Sequence, residues 1–316
     1  MLCASARKAR MGSNTKKPEV FEILFDEVWS SSSKSFKRSP IIKRDALVRA
    51  IDLRNSRNTG KGLSTGNPAN FLKDFIRKAS CNKRWPQKIK DAKITARQRY
   101  GDEQVFEFVP YRPGDSEPFP DRYDPTPLTE ISRIEALSLP RSAREMGRSD
   151  EAWLTQVVAY QRVVQTHLAI RSTLNVVDLF HLQMSVKAQP EIDAIYLATI
   201  KDGPAEFRAL VTCEAKQRGQ RILEDQIREQ VQLAFKLTES VVGGGTIDAV
   251  LPMAVAIVGL PHAPRSKGIY IIEFPIVKRS EFVTRYSGEC LQDLPLNPIS
   301  SMIYLLEPPV RGVSHG

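Results

Sequence analysis

Six of the 21 prolines lie within 18 residues, at positions 110, 113, 118, 120, 125 and 127. Proline fixes φ and lacks a backbone N–H, so no helix or central strand continues through such a density. We therefore predict a proline-rich linker over residues 112–148, between a basic helical module (17–111) and a larger domain (149–316). Residues 1–16 are basic without an apolar stretch and are predicted to form a disordered arm.

The charged residues are divided unevenly along the chain, whose net charge is +10 at pH 7. Residues 1–100 carry 24 Lys and Arg against 8 Asp and Glu, whereas the remaining 216 residues carry 22 against 28. This division is typical of a basic module that binds a polyanion, joined to a module with an acidic site. A solvated basic surface without a partner stays open as an alternative. A membrane surface is less favoured because the basic residues do not line one amphipathic helix.

The N-terminal module has the apolar spacing of several short helices. Val20–Trp29, Lys43–Leu53 and Ala69–Lys78 each place apolar residues on one helical face, and Val105–Tyr111 alternates like a strand. Short helices, a basic loop and a strand together favour a DNA-binding module of the helix-turn-helix or winged-helix type.

Basic residues in and near the loops of this module are the candidates for contact with DNA. Trp85 lies among them and could stack on a base, although a single Trp is more often part of a core. The candidates are Arg54, Arg57, Lys61, Lys83, Arg84 and Arg97.

Several classes of protein are disfavoured by what the sequence lacks. No apolar run approaches the roughly 20 residues needed to span a bilayer. The four cysteines lie far apart without a CxxC pair, which predicts neither a zinc site nor a disulfide framework and favours a reduced, cytoplasmic setting. No GxSxG, Walker or GxGxxG motif occurs. His167 has no catalytic partner at a recognisable spacing and is interpreted as a packing residue.

Two carboxylates and a lysine are predicted to meet on one hairpin. Asp193 precedes the apolar segment AIYLATI, and Phe207–Lys216 (FRALVTCEAK) is predicted to form the next strand. The two-residue period of a strand places Glu214 and Lys216 on one face, at the strand end. Because the hairpin returns this end to the start of the first strand, Asp193 should lie beside it.

This group of residues suits hydrolysis of phosphodiesters. Carboxylate oxygens are the ligands that Mg²⁺ prefers, and the metal polarises phosphate and activates water. A neighbouring lysine can stabilise charge in the transition state. Two alternatives stay open: Glu214 and Lys216 could form a solvated surface pair with Asp193 as a turn cap, or Asp202 could replace Asp193.

Pro190-Glu191-Ile192-Asp193 followed by Glu214-Ala215-Lys216 resembles the motif of the PD-(D/E)xK nucleases, which include most type II restriction endonucleases. The Pro and Asp are separated by two residues here instead of being adjacent. The resemblance covers about residues 149–237, where a long helix from Ser149, capped by that residue, would precede the hairpin.

The resemblance implies an α/β core in which a mixed central sheet is flanked by helices. It implies that Asp193, Glu214 and the carbonyl of Ala215 bind Mg²⁺, and that Lys216 is the catalytic lysine. Glu151 would be the further upstream acid, and Gln226 or Gln230 on the helix predicted at 220–237 would support the site. The implied function is a sequence-specific endonuclease for double-stranded DNA, acting as a homodimer. A repair or recombination nuclease of the same fold and a non-catalytic DNA-binding regulator are the alternatives.

Overall fold

A computed structural model of the protein describes residues 16–57, 62–78, 80–99, 103–183, 191–239 and 247–314. The chain divides into two compact units between Arg122 and Tyr123. The predicted N-terminal arm, apart from residue 16, lies outside the described residues. None of the described helices has the length and apolar character needed to cross a bilayer.

The helices of the first unit follow the predicted apolar stripes. Residues 68–70 form a 3-10 turn that begins at Pro68, where a missing N–H costs nothing. The α-helices described in this unit are α1 (Lys17–Val28), α2 (Arg44–Ser56), α3 (Phe71–Ile76), α4 (Cys81–Arg84) and α5 (Gln87–Asp91).

A small antiparallel sheet lies in the first unit and contains β3 (Ile41–Lys43), β4 (Ile94–Gln98) and β5 (Gln104–Pro110), in the order β3-β5-β4. Its core is aromatic: the ring of Trp85 is 2% exposed and packs against Phe21 and Phe75, so this Trp is a core residue. A separate two-stranded antiparallel sheet pairs β1 (Trp29–Ser30) with β2 (Ser35–Phe36).

The helices of the second unit differ from the sequence prediction chiefly in the region that follows Ser149. The single long helix predicted from Ser149 is two helices, because Arg162 adopts a left-handed backbone with φ of +51°. The N-cap is Asp150, not Ser149; its carboxylate accepts the N–H of Trp153 at 2.8 Å. The helices are α6 (Arg141–Met146), α7 (Glu151–Tyr160), α8 (Val163–Ile170), α9 (Glu224–Glu239) and α10 (Arg279–Glu281), followed by a π-helix (Phe282–Tyr286) and a 3-10 helix (Gly288–Asp293).

The second unit is built on an eight-stranded mixed sheet in the order β6-β13-β11-β10-β9-β8-β7, with β12 paired to β10. The pairs β9–β10 and β6–β13 are parallel and the others are antiparallel. The strands are β6 (Ile131–Glu135), β7 (Asn175–Gln183), β8 (Ala194–Asp202), β9 (Ala205–Lys216), β10 (Ala249–Leu260), β11 (Ala263–Glu273), β12 (Val277–Lys278) and β13 (Ser300–Glu307).

Helices cover both faces of this sheet, as the alternation of β9 requires. Cys213 and Ala215 pack in a cluster with Leu154 of α7, whereas Leu210 packs with Val231 and Phe235 of α9. The unit is therefore a mixed α/β structure with a mixed central sheet flanked by helices.

The predicted linker is longer than the irregular segment that the structure contains. Residues 111–130 form neither helix nor strand, as their prolines require. Residues 131–135, however, form β6, which pairs with β13, and α6 follows it. The second unit begins at Tyr123, so residues 131–148 are part of it.

Candidate active site

The β8–β9 hairpin brings Asp193 to the end of β9. The register pairs Ala194 with Cys213, which places position 193 opposite position 214. Asp193 Oδ2 accepts a hydrogen bond from the backbone N–H of Ala215 at 2.7 Å. The predicted convergence of Asp193 with the Glu214–Lys216 segment is confirmed. It follows from pairing alone, because opposite residues of an antiparallel pair lie side by side.

Glu214 and Lys216 are both buried on the α9 face of the sheet, each 2% exposed. Lys216 Nζ donates a hydrogen bond to Glu214 Oε1. A buried ion pair is expensive to desolvate and persists only where its members satisfy each other. The alternative of a solvated surface pair is therefore wrong.

The alternative ligand Asp202 is wrong as well, for reasons of distance. Asp202 is the last residue of β8 and lies nine residues along the strand from Asp193. At about 3.3 Å per residue the two carboxylates are attached roughly 30 Å apart. Asp202 also lies 3.6 Å from the ammonium of Lys278.

Helix α9 contributes one of its two candidate glutamines. Gln230 Nε2 donates to Glu214 Oε2 and to the backbone carbonyl of Glu191, the latter at 3.1 Å. Gln230 Oε1 has no hydrogen-bond partner among the described residues, which leaves a buried acceptor beside the carboxylate. Gln226 is buried one turn earlier, and the described contacts include none between it and Glu214 or Lys216.

Helix α7 brings its N-terminus to the same end of β9. Gln217, the residue after Lys216, donates from Nε2 to the carbonyl of Asp150 at 2.6 Å. Glu151 follows in the first helical turn, and its negative charge is one of the causes that raise the pKa of Asp193. The predicted upstream acid thus acts on Asp193 through its charge, as the smallest of the causes that shift this pKa.

The pKa of Asp193 is raised from its ordinary value of 3.8 to about 7. Burial is the largest cause, and repulsion by Glu214 is the next. The Ala215 N–H and the Lys216 ammonium act in the opposite direction but do not offset them. A carboxylate with this environment is stabilised by an added cation, because the cation reduces the repulsion and replaces lost solvation.

The donor set suits a hard cation that retains water. Asp193 Oδ1 accepts no hydrogen bond from the described residues, whereas both oxygens of Glu214 are engaged by Lys216 and Gln230. Within the described part of the chain, no group of three or more His, Cys, Asp or Glu side chains could hold a metal ion. A cation here would depend on two carboxylates, the Ala215 carbonyl and water, which is a combination that Mg²⁺ accepts.

The DNA-contact candidates of the first unit fall into two groups. Arg54 is 3% exposed and bonds to Glu19 at 2.9 Å, Arg84 lies over the ring of Phe75, and Arg97 shares Glu107 with Arg99. The guanidinium groups of Arg54 and Arg84 hold the unit together, which corrects their assignment as DNA contacts. The side chain of Arg97 stays 30% exposed, and its contact with DNA stays a prediction. Arg57 and Lys83 are exposed, and no ion-pair partner is described for either. Lys61 lies outside the described residues, as does Pro190 of the motif.

His167 is a packing residue, as predicted. It is fully buried, with Nδ1 3.1 Å from the Tyr304 hydroxyl and Nε2 2.9 Å from Ser300 Oγ. Burial lowers its pKa from 6.5 to about 4. The imidazole is therefore neutral at pH 7 and completes a polar network in the core.

Sequence reasoning missed Gln217, because a glutamine directly after a strand has no distinctive pattern. It also missed the carbonyl of Glu191, since backbone acceptors leave no signal in a sequence. Comparisons with protein-family models, curated proteins and solved structures found no match.

Proposed function

We propose that this chain is a Mg²⁺-dependent endonuclease that hydrolyses double-stranded DNA, of the sequence-specific type II restriction class, with a core like that of the PD-(D/E)xK nucleases. One site per chain and two strands to cut favour a homodimer. The motif resemblance and the chemistry of the hairpin support this proposal.

The observation that carries the proposal is the group formed by the half-buried Asp193 and the buried Glu214 and Lys216. A stable fold gains little from two carboxylates and an ammonium in one buried place, since apolar residues of similar volume are often as stable. Clustered ionisable groups with a strongly raised pKa are typical of functional sites. The pKa of Asp193, at about 7, fits that pattern.

Asp193 and Glu214 would bind Mg²⁺ through their carboxylates, and Ala215 through its backbone carbonyl. When bound, Mg²⁺ supplies Lewis-acid stabilisation of the phosphate and makes water more acidic. Lys216 would supply a positive charge to offset the negative charge that develops on the phosphate. Gln230 orients Glu214 through Nε2, and its unpartnered Oε1 can accept a hydrogen bond from water. Glu151 adds a third carboxylate to the same electrostatic environment.

The first unit is proposed to be the DNA-binding module. A helix (α1), a strand (β3), further helices and a β4–β5 hairpin follow one another in the order that winged-helix modules use. Arg57 and Lys83 are the candidates of the original set that remain exposed to contact phosphate.

Plasmid cleavage with Mg²⁺ tests the proposal. Asp193→Asn and Lys216→Met should abolish cleavage while leaving DNA binding in EDTA intact. Asp202→Asn and Lys201→Met are matched controls at the far end of the same strand and should cut normally. Circular dichroism would establish that all four variants are folded.

Each competing function has a distinct outcome in this assay. Discrete wild-type fragments would support sequence-specific cutting, whereas end-dependent degradation or cutting at joints would indicate a repair or recombination nuclease. The second candidate is a DNA-binding regulator in which the hairpin carboxylates and Lys216 have only a structural role. The hydrogen bonds from Lys216 and Gln230 to the two Glu214 oxygens favour this candidate. That reading requires plasmids of varied sequence to remain intact with every divalent metal tried.

A further inference from the structure

The first unit contains a cavity of about 500 Å³ that the proposed hydrolysis does not use. It lies between α4, α5, the turn before β4 and the segment at 116–118. Its walls carry three lysines and one aromatic ring: Lys83, Lys90, Lys93 and Tyr111. Pockets of about 300–1,000 Å³ are those that bind small molecules.

The charges around the cavity are unevenly neutralised. Asp91 accepts a hydrogen bond from the amide of Gln87 at 2.7 Å, and Glu117 accepts one from the amide of Asn82. In contrast, the ammonium groups of the three lysines have no described hydrogen-bond or ion-pair partner in residues 16–57, 62–78, 80–99 and 103–122. The cavity therefore presents three ammonium groups to a ligand. It also presents two carboxylates whose positions are held by hydrogen bonds from side-chain amides.

Lys93 holds a backbone conformation that is unfavourable for lysine. Its φ is +56°, in the left-handed region that glycine and asparagine adopt at lower cost. The conformation is fixed on both sides, because Lys93 N–H donates to the carbonyl of Lys90 and Tyr111 N–H donates to that of Lys93, each at 2.8 Å. Backbone strain of this kind is concentrated at functional positions.

The fixed turn places the Lys93 ammonium 5.7 Å from the centre of the Tyr111 ring. This is within the range of a cation–π contact, so a cation and a flat aromatic face lie together in one wall. The part of the wall around Asn82 is also fixed. The side chain of Asn82 accepts the N–H of Phe119 at 2.9 Å and donates to its carbonyl at 2.7 Å.

We propose that this cavity binds one nucleoside 5′-phosphate, either free or as part of a nucleic acid chain. The lysines would hold the phosphate, the Tyr111 ring would contact the base, and Asp91 and Glu117 would accept hydrogen bonds from amino or hydroxyl groups. A bare phosphate would use only the lysines. Ring, carboxylates and cations together match a nucleotide, and the walls are formed before it binds.

Equilibrium dialysis of the full chain in EDTA tests the proposal. The probes, used separately, are dAMP, dGMP, dCMP, TMP and inorganic phosphate. At least one nucleotide should bind roughly tenfold more tightly than phosphate, a difference expected from base stacking. Lys93→Gln and Tyr111→Leu should each weaken that binding roughly tenfold, whereas Tyr111→Phe should retain it.

Lys43→Gln is the matched control, because Lys43 is an exposed lysine of β3 whose side chain has no described partner and lies outside the cavity. It should leave the affinity within about twofold. The proposal would be overturned if no nucleotide bound at ~10 mM. A dissociation constant above ~10 mM is weaker than that of a small-molecule pocket. Equal losses for Lys43→Gln and Lys93→Gln would overturn the proposal too, since they would indicate diffuse charge attraction.

Competition with DNA then identifies the source of the nucleotide. If a single-stranded or duplex oligonucleotide displaces the bound nucleotide, the cavity takes a nucleotide of the chain. If neither displaces it, the cavity takes a free nucleotide. Because EDTA removes divalent metals, the result is independent of whether the hairpin site hydrolyses DNA.

Discussion

Replacing Lys216 with methionine is expected to destabilise the second unit by about 3–5 kcal/mol. Methionine retains much of the apolar stem but removes the ammonium group that pairs with Glu214. Both side chains are almost fully shielded from water, so solvent cannot replace the lost partner. Gln230 would remain as the neutral side-chain donor to a buried carboxylate, which is too little to offset its desolvation.

The companion variant with both Glu214→Gln and Lys216→Met should recover most of that loss. Removing the second charge eliminates the uncompensated carboxylate, and neutral replacements for a buried pair are often as stable as the pair. The coupling energy in the double-mutant cycle should therefore be at least about 2–3 kcal/mol, the upper end of the range for residues in contact. The double variant should still be unable to cut DNA, which separates the cost in stability from the proposed chemistry.

Hydrogen exchange measured at increasing urea concentrations gives these free energies of unfolding. Mass spectrometry of peptides from β9 and β10 restricts the measurement to the second unit. Lys201→Met is the control for loss of a surface ammonium and should change stability by less than about 0.5 kcal/mol. A cost below about 1 kcal/mol for Lys216→Met, or strict additivity in the double variant, would refute the reasoning. Either result would mean that water reaches this pair.

Three further predictions concern other parts of the molecule. Because the pKa of Asp193 is raised, its contribution to the stability of the folded protein falls as pH rises from about 4 to 7 and changes little above pH 7. Mg²⁺ should for the same reason bind more tightly at pH 8 than at pH 6. Calorimetry on the wild type and Asp193→Asn measures both effects. Arg57→Ala should reduce the salt dependence of DNA binding by a slope of about 1, whereas Arg54→Ala should lower the melting temperature of the first unit and leave that slope unchanged. Arg162→Gly should stabilise the second unit by about 1 kcal/mol in thermal unfolding, because glycine adopts the left-handed backbone without the Cβ penalty.

Each of these predictions has an outcome that contradicts it. A pH profile that is identical in wild type and Asp193→Asn would place the titration elsewhere. An unchanged salt slope for Arg57→Ala would remove Arg57 from the DNA interface. A lower melting temperature for Arg162→Gly would mean that the added freedom of the unfolded chain exceeds the relief of strain.

The parts of the site that were predictable from sequence depend on local periodicity. The face shared by Glu214 and Lys216 and the return of the strand to Asp193 both follow from the two-residue period and a short turn. The choice between Gln226 and Gln230 was not predictable. The two lie one turn apart on the same helical face, and only the packing of α9 on the sheet decides which one reaches Glu214.

Long-range pairing accounts for the predictions that were wrong. Arg54 is a residue type that often contacts phosphate, but here it forms an ion pair with Glu19, 35 residues earlier, in which the Arg54 side chain is buried. The break between α7 and α8 occurs at an arginine, which carries none of the signal that glycine or proline would give at a helix end. Residues 131–135 follow a proline-rich segment, and their strand conformation depends on pairing with β13, some 170 residues later.

The β8–β9 register determines which insertions and deletions the gene for this protein can tolerate. Deleting one residue inside β9 would rotate everything beyond it to the opposite face and turn Glu214 and Lys216 towards α7. Lengthening the turn at Gly203, which has a positive φ and open space around it, would leave the paired residues in place. Length variation among natural or laboratory variants should therefore concentrate at this turn and be absent between Ala209 and Lys216.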